Sequence, residues 1–578
     1  MSQFFSGKQL KSLGLSQLHS LCEDLRQKIL STVLKNGGHL SSNLGAVELT
    51  VALHYVFDFP EDKVIFDVGH QCYAHKLLTG RADKFDTLRK KGGISGFPKR
   101  EESEFDCYNT GHAGTSVSAA LGIAKARDIA GENFDVIAVI GDGSFNNGLI
   151  YEAFNSLRLL NTNILVILND NGMSISPTVG SMHEYLEFLS ENDEHIAKRN
   201  KHANIFDRFG FKYDGVYDGN NLEQLIEKLT EIKERLKHES VILHILTKKG
   251  KGYEFCEENP EATHGISVSS SDAVSVEYSK VFGETLCNLA EQDKRIVAVT
   301  AAMTSSLGLG DFFDKFPERA VDVGICEEHA TILCASMATE GLKPYYAVYS
   351  TFLQRSYDEI MLDICSQDVP VTLCVDRAGI SGSDGETHQG VFDLSFLSMI
   401  PNLTIAVPKD VNEFKAMIEF STDFNHPLAI RYPREGKRVF KVRTDIVHGK
   451  WEILNNCENA EVAIIACGER AVTAALVASQ ILVSRKVSVK VINARFVKPI
   501  DCDMLENLKQ RHIVTVEDNM LAGGLGSLIN TFYADKDKII KNFAYPDEFI
   551  AHGSVGELMR DYKITGEDIA EYVSDAIR

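Results

Sequence analysis

Residues 134–176, FDVIAVIGDGSFNNGLIYEAFNSLRLLNTNILVILNDNGMSIS, decide the fold. They read as strand, turn, helix, strand, turn. Residues 136–140 are a short continuous apolar run, as expected of a strand buried on both faces. The run stops at Gly141-Asp142-Gly143. A helical segment follows, with Leu149, Ala153, Phe154 and Leu157 on one side. A second buried strand over 164–168 ends in Asn169-Asp170-Asn171-Gly172. The two turns are therefore expected side by side at the carboxyl edge of a parallel sheet, where open α/β folds bind ligands. One carboxylate, Asp142, and one amide oxygen, Asn171, suit Mg²⁺, a hard cation that takes oxygen ligands and completes its octahedron with water and phosphate. Gly141 and Gly143 leave room for a bulky anion at the backbone. The same residues also suit two ordinary turns with polar caps, but the spacing, each motif closing its own strand, favours a site.

The chain has 578 residues, enough for three or four domains. At 44% hydrophobic and 24% charged residues its composition is that of a globular protein. A net charge of -21 argues against a nucleic-acid backbone or an anionic membrane as partner. A phosphorylated substrate has to be held by local arginines against this global field. The 12 cysteines contain no CxxC pair, the pattern of a reduced, cytoplasmic protein without a zinc ribbon or disulfide framework. The amino terminus lacks an apolar leader, and no run is long enough to span a bilayer.

Outward from the central stretch, residues up to about 30 read as a helix, with Leu18, Leu21, Leu25 and Ile29 at helical spacing. Residues 36–45, NGGHLSSNLG, form a small-residue loop carrying His39 before an apolar helix over 47–56. A loop histidine is commonly just solvated, and Ser41, Ser42 and Asn43 suit capping of the next helix. Residues 63–70 make a strand ending in Gly69-His70, and a second histidine at a strand end strengthens the case for a site. Arg89 and the glycine-rich KGGISGFPKR are expected to form a mobile loop over a cleft. Residues 109–116, NTGHAGTS, open a helix over 117–129. Its amino end is expected to offer free N–H groups to an anion, with a plain cap as the alternative.

GDG followed about thirty residues on by N resembles the thiamine diphosphate (ThDP) fingerprint, in which a metal bridges the coenzyme's diphosphate to the protein. Together with GGHLSSNLGAVELTVALH, DVGHQCYAHKLLTGR, NTGHAGTSVSAALG and NDNGMSIS, it is similar to successive motifs of the 1-deoxy-D-xylulose-5-phosphate synthases, transketolase-like ThDP enzymes. The resemblance runs through nearly the whole chain. It implies an α/β architecture of three doubly wound domains: a pyrophosphate-binding domain over 1–268, a pyrimidine-binding domain over 269–440 and a transketolase C-terminal domain over 441–578. The segment 177–204 reads as a polar surface insertion, shorter than is usual in the family. Residues 265–275 suit a linker.

The resemblance also implies residue roles. Asp142, Asn171 and Met173 match metal ligands; His70, Gly111, His112, Ala113, Gly143, Ser144, Asn171 and Tyr253 match positions beside the coenzyme. In the later half, Glu327 in GICEEH matches the acid that serves N1′ of the coenzyme's pyrimidine. Its apolar flanks, which raise a carboxyl pKa toward the working pH, suit that task, while a helix-start glutamate favoured by the macrodipole is the plainer reading. Phe352 matches the ring that stacks on the pyrimidine. His39, His264, Asp384 and His388 match groups that contact reacting oxygens or the acceptor. Arg89, Tyr349, Arg355, Arg377 and Arg434 match substrate-binding positions, the last two as a phosphate clamp.

The implied reaction is decarboxylation of pyruvate and its joining to D-glyceraldehyde 3-phosphate, an early step toward isoprenoids that also feeds thiamine and pyridoxal synthesis, in a cytoplasmic homodimer using ThDP and Mg²⁺. Two rivals stand beside it: another transketolase-like ThDP carboligase, and a ThDP-binding paralogue without turnover. The second draws on departures from the family pattern, namely Gly172, GHAGTS, residues 304–310 (TSSLGLG) and the short insertion.

Overall fold

The structure is a computed structural model that describes residues 8–174, 178–191, 204–267, 275–436, 440, 445–455, 457 and 459–577. The chain forms two compact units. The first comprises Met1–Ser270 with Gly324–Cys326, the second Ser271–Val323 with Glu327–Arg578.

The first unit is built on a five-stranded sheet of β1 (Lys63–Phe66), β2 (Val136–Gly141), β3 (Leu165–Asp170), β4 (Lys212–Asp218) and β5 (Val241–Leu246). The order is β1-β2-β3-β5-β4 and every pair is parallel. Alternate residues along the apolar runs serve opposite faces. Ile137, Val139, Leu165 and Ile167 join one core with the helices Leu15–Asn36, Val47–Val56 and Leu222–Arg235. Val136, Ala138, Ile140, Val166 and Leu168 join another with Ser116–Ala130 and Gly148–Leu160. Burial on both faces is why these strands carry no polar alternation. The first helix runs past the expected end near 30 to Asn36, where Gly37 at φ +78 stops it.

Two expected loops are more ordered than their composition implied. Gly38–His39 pairs antiparallel with Gly265–Ile266, so His39 is strand rather than loop and the linker starts inside a ladder. The segment 177–204 contributes the helix Ser181–Glu191, whose Leu186 and Leu189 are buried in the second core, so it is anchored rather than purely superficial. Residues 192–203, within that predicted insertion, lie outside the described residues.

The second unit holds β6 (Ile296–Thr300), β7 (Ala320–Asp322), β8 (Lys343–Tyr349), β9 (Thr372–Asp376), β10 (Thr404–Ala406), β11 (Leu428–Arg431), β12 (Glu452–Asn455), β13 (Val462–Cys467), β14 (Val489–Asn493), β15 (Phe496–Lys498), β16 (His512–Met520) and β17 (Ile539–Tyr545). One sheet runs β7-β6-β8-β9-β11-β10-β15, parallel except for the antiparallel β15; the other runs β12-β14-β13-β16-β17, parallel except for the antiparallel β12. β12 lies in a stretch, 435–460, that reads as loop in the sequence. The three-domain division is a proposal resting on the three sheets. Compactness joins the last two, because β15 extends the neighbouring sheet and Trp451 Nε1, buried in the shared core, donates to Phe496 O at 2.7 Å. Among the described residues, no helix is long and apolar enough to cross a membrane.

A buried ion pair fixes the second unit's loops. Arg431, at the end of β11, donates from Nε to both oxygens of Asp393 at 2.8 and 2.7 Å, and from Nη2 to Gly390 O and Asp518 O. Both side chains are almost fully buried. Replacing Arg431 by Met strands a buried carboxylate, and a loss of about 3–5 kcal/mol is expected. Urea unfolding of the two proteins checks this; an unchanged midpoint would mean that the pair contributes no stability.

Candidate active site

In the first unit, β2 and β3 end in register, Gly141 opposite Asn169, so the two polar turns are neighbours as their spacing predicted. Asp142 begins a short helical turn, Asp142–Phe145, that contains Gly143 and the buried Ser144. Asp142 Oδ1 accepts the Asn171 N–H at 3.3 Å and Oδ2 accepts the Thr178 hydroxyl at 2.6 Å. The Asn171 side-chain oxygen is buried with no hydrogen-bond partner among the described residues. Burial, then the negative charge of Asp170, pushes the Asp142 carboxyl up to about 7. An orphaned amide oxygen beside a reluctant carboxylate is a donor set that a hard divalent cation fits, since it would satisfy the first and ionise the second. Met173 follows two residues on. Gly143 differs from expectation: a Cβ there would lie 2.7 Å from Ser174 Cβ, so the glycine serves chain packing, while Gly141 faces open space.

Lys249 is a site residue that sequence reasoning missed. It is buried, and its Nζ donates to Ser174 O at 2.5 Å, holding the chain just beyond Met173. Burial lowers it to about 8, opposed by Asp142 and Glu261. The signal was a lysine doublet directly after an apolar strand, hidden beside the more familiar Tyr253, which sits half-buried at the start of the helix Glu254–Glu258.

Three predicted histidines converge. The ring centres of His39 and His70 are 5.3 Å apart, those of His39 and His264 5.5 Å, and those of His70 and His264 5.2 Å. Asn43 sets their backbones: its amide nitrogen donates to His39 O and His70 O, both at 2.7 Å, and its oxygen accepts the Tyr73 N–H at 2.8 Å. Asn43 is thus a tie between histidine-bearing segments rather than a helix cap. Burial and the nearby positive or titratable groups Lys249, His70 and His39 hold His264 well below its ordinary pKa, hence neutral. Arg89, at φ +62, lies against Gly38 and Gly96.

The loop over 90–99, expected to be mobile, is exposed at 90–92 and packed over 94–98. Ser95 N donates to Glu102 Oε1 at 2.5 Å and Lys99 N to Asp106 Oδ2 at 2.8 Å, and Phe97 is buried against His39. Asp106 is itself clamped by Arg81 and by His75, which continues to His54. The helix amino end after Gly111, His112 and Ala113 also departs from expectation. Asp67 takes the N–H groups of Gly114 at 2.9 Å and Ser116 at 3.0 Å, so those donors are satisfied by a buried carboxylate rather than offered to an anion. Gly114 sits at φ +83 with Asn147 against it, which accounts for glycine in GHAGTS.

In the second unit, Glu327 opens the helix Glu327–Thr339 and is 3% exposed. Its Oε2 has no hydrogen-bond partner among the described residues, and Arg355 Nη1 stands 3.7 Å away. Burial pushes the carboxyl up to about 7 against the pull of Arg355. Arg355, expected at the substrate, is therefore beside the acid. Phe352 stacks on Tyr349 with ring centres 5.6 Å apart, and His388 meets Phe352 edge-on at 5.8 Å. The Arg377 guanidinium lies 3.9 Å from the Tyr349 ring centre. Asp384 and His388 share a loop closed by the Gly379–Gly390 bridge, with the Thr387 hydroxyl 2.8 Å from His388 Nδ1. Arg434 is exposed just beyond β11. The TSSLGLG turn is packed by Gly308, where a Cβ would lie 2.2 Å from Ser279 O.

A parallel-sheet unit carrying a polar turn pair, followed by a second with a buried helix-start acid, defines the class: an enzyme of transketolase type. The pyrimidine-binding domain profile of transketolases matches residues 274–438 and their C-terminal domain profile 449–569. The amino-terminal profile of 1-deoxy-D-xylulose-5-phosphate synthase matches 1–202 and 187–247. Synthases of that name from Clostridium tetani (98% of this chain, 97% of that one), Clostridium perfringens (97% and 96%) and Caldanaerobacter subterraneus (99% and 98%) are each 44% identical. The chain belongs to the 1-deoxy-D-xylulose-5-phosphate synthase family.

The raised Glu327 carboxyl makes stability depend on pH. The folded chain keeps its proton up to about 7, whereas an exposed glutamate releases it near 4.5. Folded stability therefore falls as pH rises through that window and levels off above it. Glu327→Gln is expected to stabilise the coenzyme-free protein by about 1–3 kcal/mol at about pH 8 and to lose that advantage near about pH 4. Urea titrations at both pH values check it; equal stability at the higher pH would contradict a buried, reluctant carboxyl.

Proposed function

We propose that the chain decarboxylates pyruvate and joins the remaining two carbons to D-glyceraldehyde 3-phosphate, giving 1-deoxy-D-xylulose 5-phosphate, with ThDP and Mg²⁺ as cofactors, in a cytoplasmic homodimer. The observation that carries the reading is the buried Glu327, an acid at the ThDP-motif position whose carboxyl is poised at about 7. Identity of 44% to synthases of that name over 98% of the chain supports the substrates.

When bound, ThDP supplies an electron sink for the carbon left as carbon dioxide departs. Asp142, Asn171 and the Met173 carbonyl would hold its metal, with Lys249 keeping the chain beyond Met173 in place. His70, Gly111, His112, Ala113, Gly143, Ser144 and Tyr253 are the proposed coenzyme contacts, and Phe352 the ring beside its pyrimidine. Glu327 holds a proton at neutral pH and presents it at Oε2, the oxygen without a partner, to a ring nitrogen. Arg355 limits how far that proton is retained. His264, kept neutral, accepts a hydrogen bond or a proton from a reacting oxygen; His39, Asp384 and His388 serve the remaining oxygens. Arg377 and Arg434 take the acceptor's phosphate, with Tyr349 supporting Arg377 and Arg89 binding substrate in the first unit. The family departures at Gly114 and Gly308 are compatible with this work, since close packing requires those two glycines.

The test is carbon dioxide release from pyruvate with and without glyceraldehyde 3-phosphate, together with product identification. Release coupled to the deoxysugar phosphate is expected, and a Glu327→Ala variant should turn over about 10²–10⁴-fold more slowly. No release under either condition removes the assignment, and unchanged turnover in the variant removes the role of Glu327.

A further inference from the structure

At the carboxyl edge of the seven-stranded sheet, β8 and β9 end side by side with Tyr349 opposite Asp376. On the other side β11 runs on to Tyr432, whose N–H donates to Val375 O at 3.0 Å. Asp376 is 1% exposed, and among the described residues its Oδ1 has no hydrogen-bond partner; the Tyr432 hydroxyl, equally buried, has none among them either. A buried carboxylate so poorly satisfied is costly unless charge compensates it. Two cations face it. Arg377 is the next residue, held at φ +54 with its guanidinium over Tyr349, and Arg434 stands beyond β11. Glu277, on the short strand paired with Glu435–Gly436, faces it with like charge. Cys374, Tyr349 and Tyr432 are the other titratable groups that sense it.

The two arginines are the proposed holders of the acceptor's phosphate, and the role of Asp376 rests on that reading. An ionised Asp376, itself buried, and a bound phosphate compete for the same two positive charges, of which Arg377 is half-buried and Arg434 exposed. We propose that Asp376 is a specificity-determining residue for the acceptor, its charge setting how strongly Arg377 and Arg434 hold a phosphate. A proton on Asp376 removes its claim on the two arginines; loss of that proton restores the claim. Burial already pushes this carboxyl up to about 7 against both arginines, so the exchange falls in the working pH range. By linkage, phosphate binding favours the protonated form, and affinity for a phosphorylated acceptor falls as pH rises through that value.

The experiment is the KM of the holoenzyme for glyceraldehyde 3-phosphate and for unphosphorylated glyceraldehyde between about pH 6.5 and 8.5, in the wild type, Asp376→Asn, Arg377→Met and Arg434→Met. In the wild type, the ratio of phosphorylated to unphosphorylated KM should rise about 5-fold across the range. Asp376→Asn should hold that ratio at its low-pH value, leaving the KM values for pyruvate and glyceraldehyde unchanged. The phosphate's own ionisation is common to all four proteins and cancels in the comparison. A wild-type ratio that changes with pH no more than the Asp376→Asn ratio overturns the proposal. So does an Asp376→Asn protein that keeps the wild-type pH dependence or alters both acceptors alike. If the arginine variants keep the preference for a phosphorylated acceptor, the arginine assignment fails and the role of Asp376 with it. If they lose it while Asp376→Asn behaves as the wild type, only the role of Asp376 fails.

Discussion

Carboxyl groups buried at the ends of parallel strands and at a helix start are the constraint on which the rest of the structure turns. Ionisation inside protein is expensive, and each such group needs an answer from its surroundings. Asp142 is answered by the Asn171 N–H, the Thr178 hydroxyl and the charge of Lys249; Glu327 by Arg355; Asp376 by Arg377 and Arg434. Each answer is incomplete, and all three carboxyls are pushed up to about 7. Glu517 shows that this alone does not make a site. It reaches the same range, yet its oxygens accept the Leu525 and Gly526 N–H groups and cap a helix. What separates Asp376 and Glu327 from it is an oxygen left without a partner.

The groups of the first unit are positioned by residues that do no chemistry themselves. Asn43 ties His39 to His70, and Asp67 caps the helix behind His112. Asp106 and Glu102 fasten the loop that brings Phe97 to His39. Asn43, Asp67 and Asp106 are buried and hydrogen-bonded at more than one point, so they tie together segments that a glycine-rich sequence left looking independent. In the second unit the Asp393–Arg431 pair does comparable work, since Arg431 also holds the carbonyl of Gly390, which closes the loop of Asp384 and His388.

Much of this was legible from residues alone. The apolar runs at 136–140 and 164–168 are strands because burial on both faces demands unbroken hydrophobicity, and the turn pair lies at neighbouring strand ends because β2 and β3 are adjacent and parallel. The helix Val47–Val56 has the bounds its pattern predicted. Residues 36–45 were misjudged as loop, and 90–99, a loop as read, is packed over its later half, because small residues and glycines look alike whether they are solvated or packed. Asn43, Asp67, Thr178 and Lys249 were missed because each acts on a segment far away in sequence, and nothing local distinguishes such a residue from a cap or a surface charge.

The amino-acid sequence by itself determined the α/β class, the strand ends at which polar groups gather, and the residue types able to hold a metal, a proton or a phosphate. These come from periodicity and short-range spacing, which the chain carries wherever it is read. Only the tertiary structure decided which histidines meet, that Asp67 occupies the helix amino end, that Arg355 stands against Glu327 and that Asp376 lies buried beside two arginines. Those outcomes depend on how much water each group loses and on which distant segment replaces it, and neither quantity exists until the strands have paired.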